Sequence, residues 1–294
     1  MVDFMSGQTN KMDKIKKTGK KAAHNATFNP IVEIMARVGY AARGLIYFIM
    51  GLLALLLAFQ KGGKTTDQQG AIATIGAQPE GRILLCLVLI GLICYSLWGL
   101  IRAVLNPLHK EPDTKGRAER AGYLFSGIAY ALLAVTTYAL ITGGSKPATN
   151  GEQGAQTQHY VAKILTMPFG QLLVGMAGII VILVGFIQVY HAILPHFEGQ
   201  LHLVKLTPPQ LKLLKCLGRV GTIARGLIIS LLGVFLIAAA YTSNSNQVKG
   251  FDSTLMSLSS VPYGRFLMGI ISLGLMALGI YSLFVGLFFR LRKY

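Results

Sequence analysis

The stretch "RVGYAARGLIYFIMGLLALLLAF", residues 37 to 59, decides the fold. After its first residues it is one apolar run, long enough for a helix to cross a hydrocarbon layer that needs roughly 20 residues. Its opening phrase returns as "RAGYLFSGIAY" at residues 120 to 130 and as "RVGTIARGLII" at residues 219 to 229. Arginine, glycine and glycine keep fixed positions in all three copies. The sequence therefore predicts a membrane protein built from a repeated unit.

The composition also indicates an apolar environment. The 294 residues are 53% hydrophobic and 13% charged, whereas roughly 25% of residues are charged in soluble globular proteins. Each apolar segment is continuous rather than alternating, which predicts helices and not barrel strands. Six segments are long enough to span a membrane, and we place them at residues 38 to 59, 82 to 105, 121 to 142, 169 to 193, 220 to 241 and 264 to 289.

Each repeat is predicted to contain two helices. A Pro-x-Gly turn precedes the second helix of each unit, in "PEGRILL", "PFGQLLV" and "PYGRFLM". A two-helix unit returns the chain to its starting side, so tandem copies are parallel and related by an axis along the membrane normal. We predict an all-α polytopic membrane protein with six transmembrane helices, as three tandem two-helix repeats with approximate threefold symmetry. Its parts are a basic tail over residues 1–29 and repeats over 30–109, 110–200 and 201–294, the last with a short basic C-terminus.

A capping residue stands before each odd-numbered span. These residues are Asn29, Asp113 and Thr207, and short amphipathic runs such as "PQLKLLKCLGR" follow them. With leucines facing lipid and lysines facing water, such runs predict short interfacial helices before spans one and five, and a third before span three.

Lysine and arginine are concentrated in the tails and in the second and fourth loops, and the net charge is +17. This asymmetry predicts that both termini are cytoplasmic. Anionic lipid headgroups at the cytoplasmic leaflet are the expected partner, with other membrane proteins as a second class. Nucleic acid is not expected, because the charge is spread over separate loops without a binding module.

The spans contain basic residues and no carboxylate. An arginine in a membrane without a carboxylate must find phosphate, backbone carbonyl or water. Tyr40 and Tyr47 share one helical face with Arg43, so their rings or hydroxyls are candidate partners of its guanidinium. One hypothesis is an anion or lipid-headgroup site, and the other is a set of side chains that snorkel to lipid phosphates and anchor their helices. The residues concerned are Arg43, Arg102, His191 and Arg225.

Small residues recur at a seven-residue spacing in the odd-numbered spans. In lipid, close backbone approach at small residues is a main source of helix association. We therefore predict helix packing, with a glycine-lined substrate path as the alternative, at Gly44, Gly51, Gly127, Gly226 and Gly233.

Catalytic and metal-binding patterns are not recognisable in the sequence. No serine, cysteine or histidine stands in a nucleophile motif, and no glycine-rich phosphate loop follows a strand. We expect no enzymatic activity, no metal and no cofactor. Haem ligation through His191 is the one alternative left open.

The segments "RVGYAARGLIYFIMG", "QQGAIATIGAQPEGRILL" and "YSLWGLIRA" resemble the repeat of a bacterial membrane-protein family catalogued as domain of unknown function twelve-oh-six. That repeat is a pair of transmembrane helices found three times per chain, and here it covers about residues 30 to 290. Ser126 replaces the arginine of the other two copies, and Val285 stands at the position of Arg102. The resemblance implies a multi-pass protein of the bacterial cytoplasmic, or inner, membrane and supplies no activity.

Two functions are consistent with these patterns. The expected one is a non-enzymatic accessory or scaffold component that acts through lipids or other membrane proteins. The alternative is a transporter or channel for a small anionic or neutral solute.

Overall fold

A computed structural model describes residues 30–106, 113–144, 152–194 and 207–289. Six long helices in these residues are apolar enough to cross a membrane, which confirms the predicted fold class. They are α1 (Pro30–Ala58), α3 (Gly81–Leu105), α4 (Thr114–Ile141), α6 (Gly170–Ile193), α7 (Pro208–Thr242) and α9 (Gly264–Phe288). We call the side on which α1, α4 and α7 begin the first side of the bundle, and the opposite side the second side.

The odd-numbered spans begin earlier than predicted, because the amphipathic runs before them are the first turns of the same helices. The expectation of separate interfacial helices is therefore wrong. In α7 the early turns are used for packing, since a Cβ at Gly218 would lie 2.9 Å from the ring of Tyr281 on α9. Asp113 caps α4 as predicted, accepting a 2.7 Å hydrogen bond from the backbone N–H of Gly116. Thr207 precedes α7 at the predicted position, and Asn29 lies outside the described residues.

The spans pack in the order α4, α3, α1, α9, α7, α6. The second helix of one repeat meets the first helix of the next at equivalent small residues in all three places. The last repeat meets the first in the same way, which gives the bundle its approximate threefold symmetry. The three contacts, each given as the distance from a Cβ built on the glycine to a carbonyl oxygen, are Gly127 to Ser96 at 3.1 Å, Gly226 to Gly185 at 2.9 Å and Gly44 to Gly279 at 2.7 Å.

The first arginine of the repeated phrase caps the neighbouring repeat. Arg120 donates to the carbonyl oxygens of Ala103 and Val104, at 2.8 and 3.1 Å, near the C-terminus of α3. Arg37 donates to the carbonyl oxygen of Phe289, at 2.8 Å, at the end of α9. A cation at a helix C-terminus satisfies free carbonyls and favours the helix dipole. Arg37 thus connects the first repeat to the last, and Arg120 connects the second to the first, whereas in the described residues the Nε of the corresponding Arg219 is buried without a hydrogen-bond partner.

The contact within a repeat differs in the second repeat. A Cβ at Gly39 on α1 would lie 2.7 Å from the Tyr95 backbone on α3, and one at Gly221 on α7 would lie 2.5 Å from the Leu278 backbone on α9. The corresponding Gly122 on α4 has nothing within 4 Å of such a Cβ. In the described residues α4 and α6 have no extended packing against each other. The bundle is therefore open between these two helices.

Three short helices, α2 (Gln68–Gly76), α5 (Glu152–Leu165) and α8 (Phe251–Leu258), lie at the second side. The chain before α2 turns back into the bundle, so that Thr66 and Asp67 are buried. Asp67 caps α2 by accepting a 2.8 Å hydrogen bond from the N–H of Gly70. Ile72 of α2 and Leu255 of α8 join the apolar core. Together these helices fill the second side of the bundle.

Candidate anion-binding site

Arg43 lies near the middle of α1 and points into the bundle. Its Nη1 donates a 2.6 Å hydrogen bond to the hydroxyl of Tyr95 on α3. Its guanidinium carbon lies 5.6 Å from the ring centroid of Tyr47 and 5.5 Å from that of Tyr95. Both distances are within the range of a cation–π contact. The guanidinium is therefore held by aromatic groups.

Arg102 lies near the end of α3 and is only 7% exposed. Its guanidinium carbon lies 4.5 Å from the ring centroid of Tyr123, 5.4 Å from that of Trp98 and 5.6 Å from that of Tyr95. Its Nη1 lies 3.5 Å from the hydroxyl of Tyr40. This side chain is enclosed by rings inside the bundle and does not reach the lipid-facing surface.

Arg225 of α7 completes the group. Its guanidinium carbon lies 5.6 Å from the centroid of Tyr47, the ring that Arg43 also contacts. Tyr95 in turn contacts both Arg43 and Arg102, so two shared rings connect the three cations. The ring of Tyr130 on α4 lies beside that of Tyr95, with centroids 4.4 Å apart and planes inclined at 52°. We call this set the Arg/Tyr cluster: Arg43, Arg102, Arg225, Tyr40, Tyr47, Tyr95, Tyr123 and Tyr130.

The cluster carries uncompensated positive charge. A guanidinium has five N–H donors, and the Nε atoms of Arg43 and Arg102 are buried without a hydrogen-bond partner. Within the described part of the chain, none of the three cluster arginines pairs with a carboxylate; an ion pair of 2.8 Å joins Arg37 to Glu33 at the start of α1. Buried charge is costly unless it is paired and hydrogen-bonded. The geometry is therefore suited to an anion with several acceptor oxygens.

The structure brings three of the four predicted site residues together. His191 is half-buried on α6, where its ring lies 6.1 Å from that of its neighbour Tyr190. No contact joins it to the cluster, since α6 packs on α7 and not on α4. His191 is therefore not part of the cluster, although it occupies the repeat position of Arg102, because the second repeat does not close as the first does.

Most of the tyrosines in the cluster were not predicted. Tyr123 and Tyr130 occupy the repeat positions of Tyr40 and Tyr47, so the alignment of the repeats could have identified them as members of the site. Tyr95 comes from a different span, and only the packing of α3 on α1 brings it to Arg43.

A polar contact connects the cluster to the second side. Gln68, the first residue of α2, donates from Nε2 to the hydroxyl of Tyr47 at 3.2 Å. The ring of Tyr47 therefore contacts two arginines, while its hydroxyl accepts a hydrogen bond from the first residue of α2.

The five predicted packing glycines lie at helix contacts. A Cβ at Gly51 would lie 2.7 Å from the carbonyl oxygen of Ser272 on α9, and one at Gly233 would lie 2.7 Å from that of Gly178 on α6. Gly44, Gly127 and Gly226 make the contacts between repeats already given. In the described residues, no group of three or more histidine, cysteine or carboxylate side chains could hold a metal ion.

Fold and cluster together define a polytopic α-helical membrane protein of three tandem two-helix repeats with arginines inside the bundle. Residues 38–106, 121–194 and 220–288 match the family described as Domain of Unknown Function (DUF1206), and the chain belongs to this family. The three matches confirm the predicted repeat and the family resemblance.

A curated relative is the "Uncharacterized protein YxxB" of Bacillus subtilis (strain 168). It is 30% identical over 259 residues, which cover 88% of this chain and 92% of the relative. No solved structure matches the chain.

Proposed function

We propose that this protein is a non-enzymatic accessory component of the bacterial cytoplasmic membrane that binds a phosphate-bearing anion at the Arg/Tyr cluster. One observation carries the proposal: Arg43, Arg102 and Arg225 converge inside the bundle, and no described carboxylate pairs with them.

Phosphate suits this cluster chemically. Guanidinium groups bind phosphate through paired, charge-assisted hydrogen bonds, which are stronger than neutral ones. Cation–π contacts contribute roughly 0.5 to 2 kcal/mol each and leave the positive charge in place. An anion would supply the missing countercharge and acceptors for the free Nε donors of Arg43 and Arg102.

The proposed source of the anion is the cytoplasmic leaflet. The distribution of lysine and arginine supports cytoplasmic termini and a first side that faces the cytoplasm. Arg102, three residues before the end of α3, lies toward that side. Anionic headgroups of this leaflet, or partner membrane proteins that carry such lipids, are the expected interaction partners.

A transporter for a small anionic or neutral solute is the second candidate. The contact between Gln68 and Tyr47 favours it, because it extends polar groups from the cluster toward the second side. Met50, Leu92 and Leu275, however, are fully buried in the core. Their packing favours a binding role over a conducting one.

Native mass spectrometry of the protein extracted gently from its membrane tests the binding role. We expect a stoichiometric adduct of phosphatidylglycerol or inorganic phosphate in the wild type that is lost in Arg43→Gln/Arg225→Gln. The matched control is Arg82→Gln/Arg265→Gln, which removes two exposed arginines and the same charge. Equal adducts in both double variants would overturn the proposal.

Uptake of labelled phosphate into proteoliposomes separates the two candidates. We expect no uptake above that of protein-free liposomes. Uptake that disappears in Arg43→Gln/Arg225→Gln would overturn the accessory role and establish the transporter.

A further inference from the structure

The inner face of the second repeat is exposed, unlike those of the other two. Ala42 on α1 and Ala224 on α7 are 8% and 6% exposed, whereas Phe125 at the same position of α4 is 71% exposed. Similarly, Tyr95 and Leu278 are each 2% exposed, and the corresponding Val184 of α6 is 45% exposed.

Side-chain size explains why α4 and α6 stay apart. In the first and third repeats the inner alanine fits against a glycine of the second helix, Gly91 or Gly274. In the second repeat Phe125 replaces the alanine and Ile180 replaces the glycine. Two large side chains at this crossing prevent the close backbone approach that small residues allow.

The opening between α4 and α6 is bordered by a helix of the cluster, since Tyr123 and Tyr130 lie on α4. The other neighbouring spans are closed by glycine contacts at Gly39, Gly44, Gly127, Gly221 and Gly226. Ser126 stands on α4 where the other repeats carry Arg43 and Arg225, so a small hydroxyl replaces a third guanidinium at this point. Arg43 and Arg225 themselves remain partly exposed although their contacts lie inside the bundle.

We propose that the opening, bordered by Phe125 and Ala129 on α4 and by Ile180 and Val184 on α6, is a lateral entrance for an anionic phospholipid. Its phosphate binds the Arg/Tyr cluster, and an acyl chain lies along the apolar border of the opening. This inference rests on the proposed function and names the class of ligand and its route.

The apolar border of the opening and the positive charge of the cluster together favour an anionic phospholipid as the ligand. The border of the opening is apolar, whereas the arginines beyond it require an anion, and an anionic phospholipid offers both properties in one molecule. Ala129 is exposed at the position where Ile46 and Ile228 are fully buried, which leaves room for a chain. A second copy of this protein or an apolar helix of a partner would cover the border without supplying the countercharge.

The test blocks the entrance without touching the cluster. Gly122→Phe/Ala129→Phe adds two rings on the inner face of α4, where Gly122 has free space. The matched control, Ile128→Phe/Val135→Phe, adds rings on the face of α4 whose repeat equivalents, Leu45 and Leu52, are also exposed.

Trp98, the single tryptophan of the chain, lies beside Arg102 and reports binding through quenching by phosphatidylglycerol brominated on its acyl chains. Protein in phosphatidylcholine nanodiscs is titrated with this lipid and, separately, with inorganic phosphate.

We expect the blocked variant to bind brominated phosphatidylglycerol roughly tenfold or more weakly than the wild type and the control. Its binding of inorganic phosphate, measured by calorimetry, should be unchanged. Equal lipid binding by the blocked variant and the control would overturn the entrance, as would a dimer that forms through this face in place of the lipid adduct. Retention of both ligands by Arg43→Gln/Arg225→Gln would instead overturn the proposed function itself.

Discussion

Arg43 on α1 and Tyr95 on α3 are joined by a 2.6 Å hydrogen bond from guanidinium to hydroxyl. Tyr95 also presents its ring to Arg102, so one phenol side chain contacts two cations. Because α1 and α3 form the first repeat, this bond fixes the distance between helices at the level of the cluster. Tyr95 therefore holds both arginines in place.

Tyr95→Phe should destabilise the protein by about 1 to 3 kcal/mol, since Arg43 loses its acceptor in a buried environment while the ring contacts remain. Tyr138→Phe removes a hydroxyl from an exposed side chain of α4 and is the control. Unfolding of purified protein by denaturant measures both. The assigned role of Tyr95 is wrong if the two variants lose the same stability.

Gly44→Ala should separate α1 from α9. The added methyl group would lie 2.7 Å from the carbonyl oxygen of Gly279. The backbones must therefore move apart, at a cost of about 1 to 3 kcal/mol. Gly269→Ala, on the α9 side of the same helix pair, places its methyl group 3.9 Å from Ala58 on α1 and should be neutral or slightly stabilising. Thermal unfolding of the two variants in the same detergent checks this difference, and similar melting temperatures would contradict it.

Arg120→Ala should cost about 1 kcal/mol, because the carbonyl oxygens of Ala103 and Val104 lose a charged donor at the end of α3. Arg117→Ala removes an exposed arginine one turn earlier on the same helix and should have little effect. Denaturant unfolding gives both values. An equal loss in the two variants would mean that the capping bonds do not contribute to stability.

Cys216 tests the proposed orientation. It is exposed near the beginning of α7, on the first side of the bundle. In a variant with Cys86→Ala and Cys94→Ala, a membrane-impermeant maleimide should label Cys216 in inverted membrane vesicles and not in intact cells. Adding Cys216→Ala and Ser260→Cys, at an exposed residue of the second side, should reverse the pattern. The opposite result in both variants would place the termini outside the cytoplasm.

The spans and their repetition follow from strong, local signals. A continuous apolar run identifies each helix wherever it packs, and the fixed glycines of the repeated phrase mark where backbones approach. The capping role of Asp113 was likewise evident, because it depends on residues within one turn.

The opening between α4 and α6 and the composition of the cluster depend on distant contacts. Phe125 and Ile180 show their effect only when the two helices are compared with their equivalents in the other repeats. Tyr95 reaches Arg43 across a separation of 52 residues. The return of the chain before α2 was not predicted, because the polar loop "KTTDQQG" has no apolar run to indicate that Asp67 is buried.

The bond from Arg37 to Phe289 spans 252 positions in the chain, yet it is equivalent to the contact of Arg120 with the end of α3. The junction between the last and the first repeat, which the peptide chain does not cross, is therefore capped in the same way as the junction between the first and the second. A circular permutant that links the end of α9 to the start of α1, and opens the chain between α3 and α4 instead, should insert and fold into the same bundle. The order in which the three units are synthesised would then not determine how they pack in the bundle.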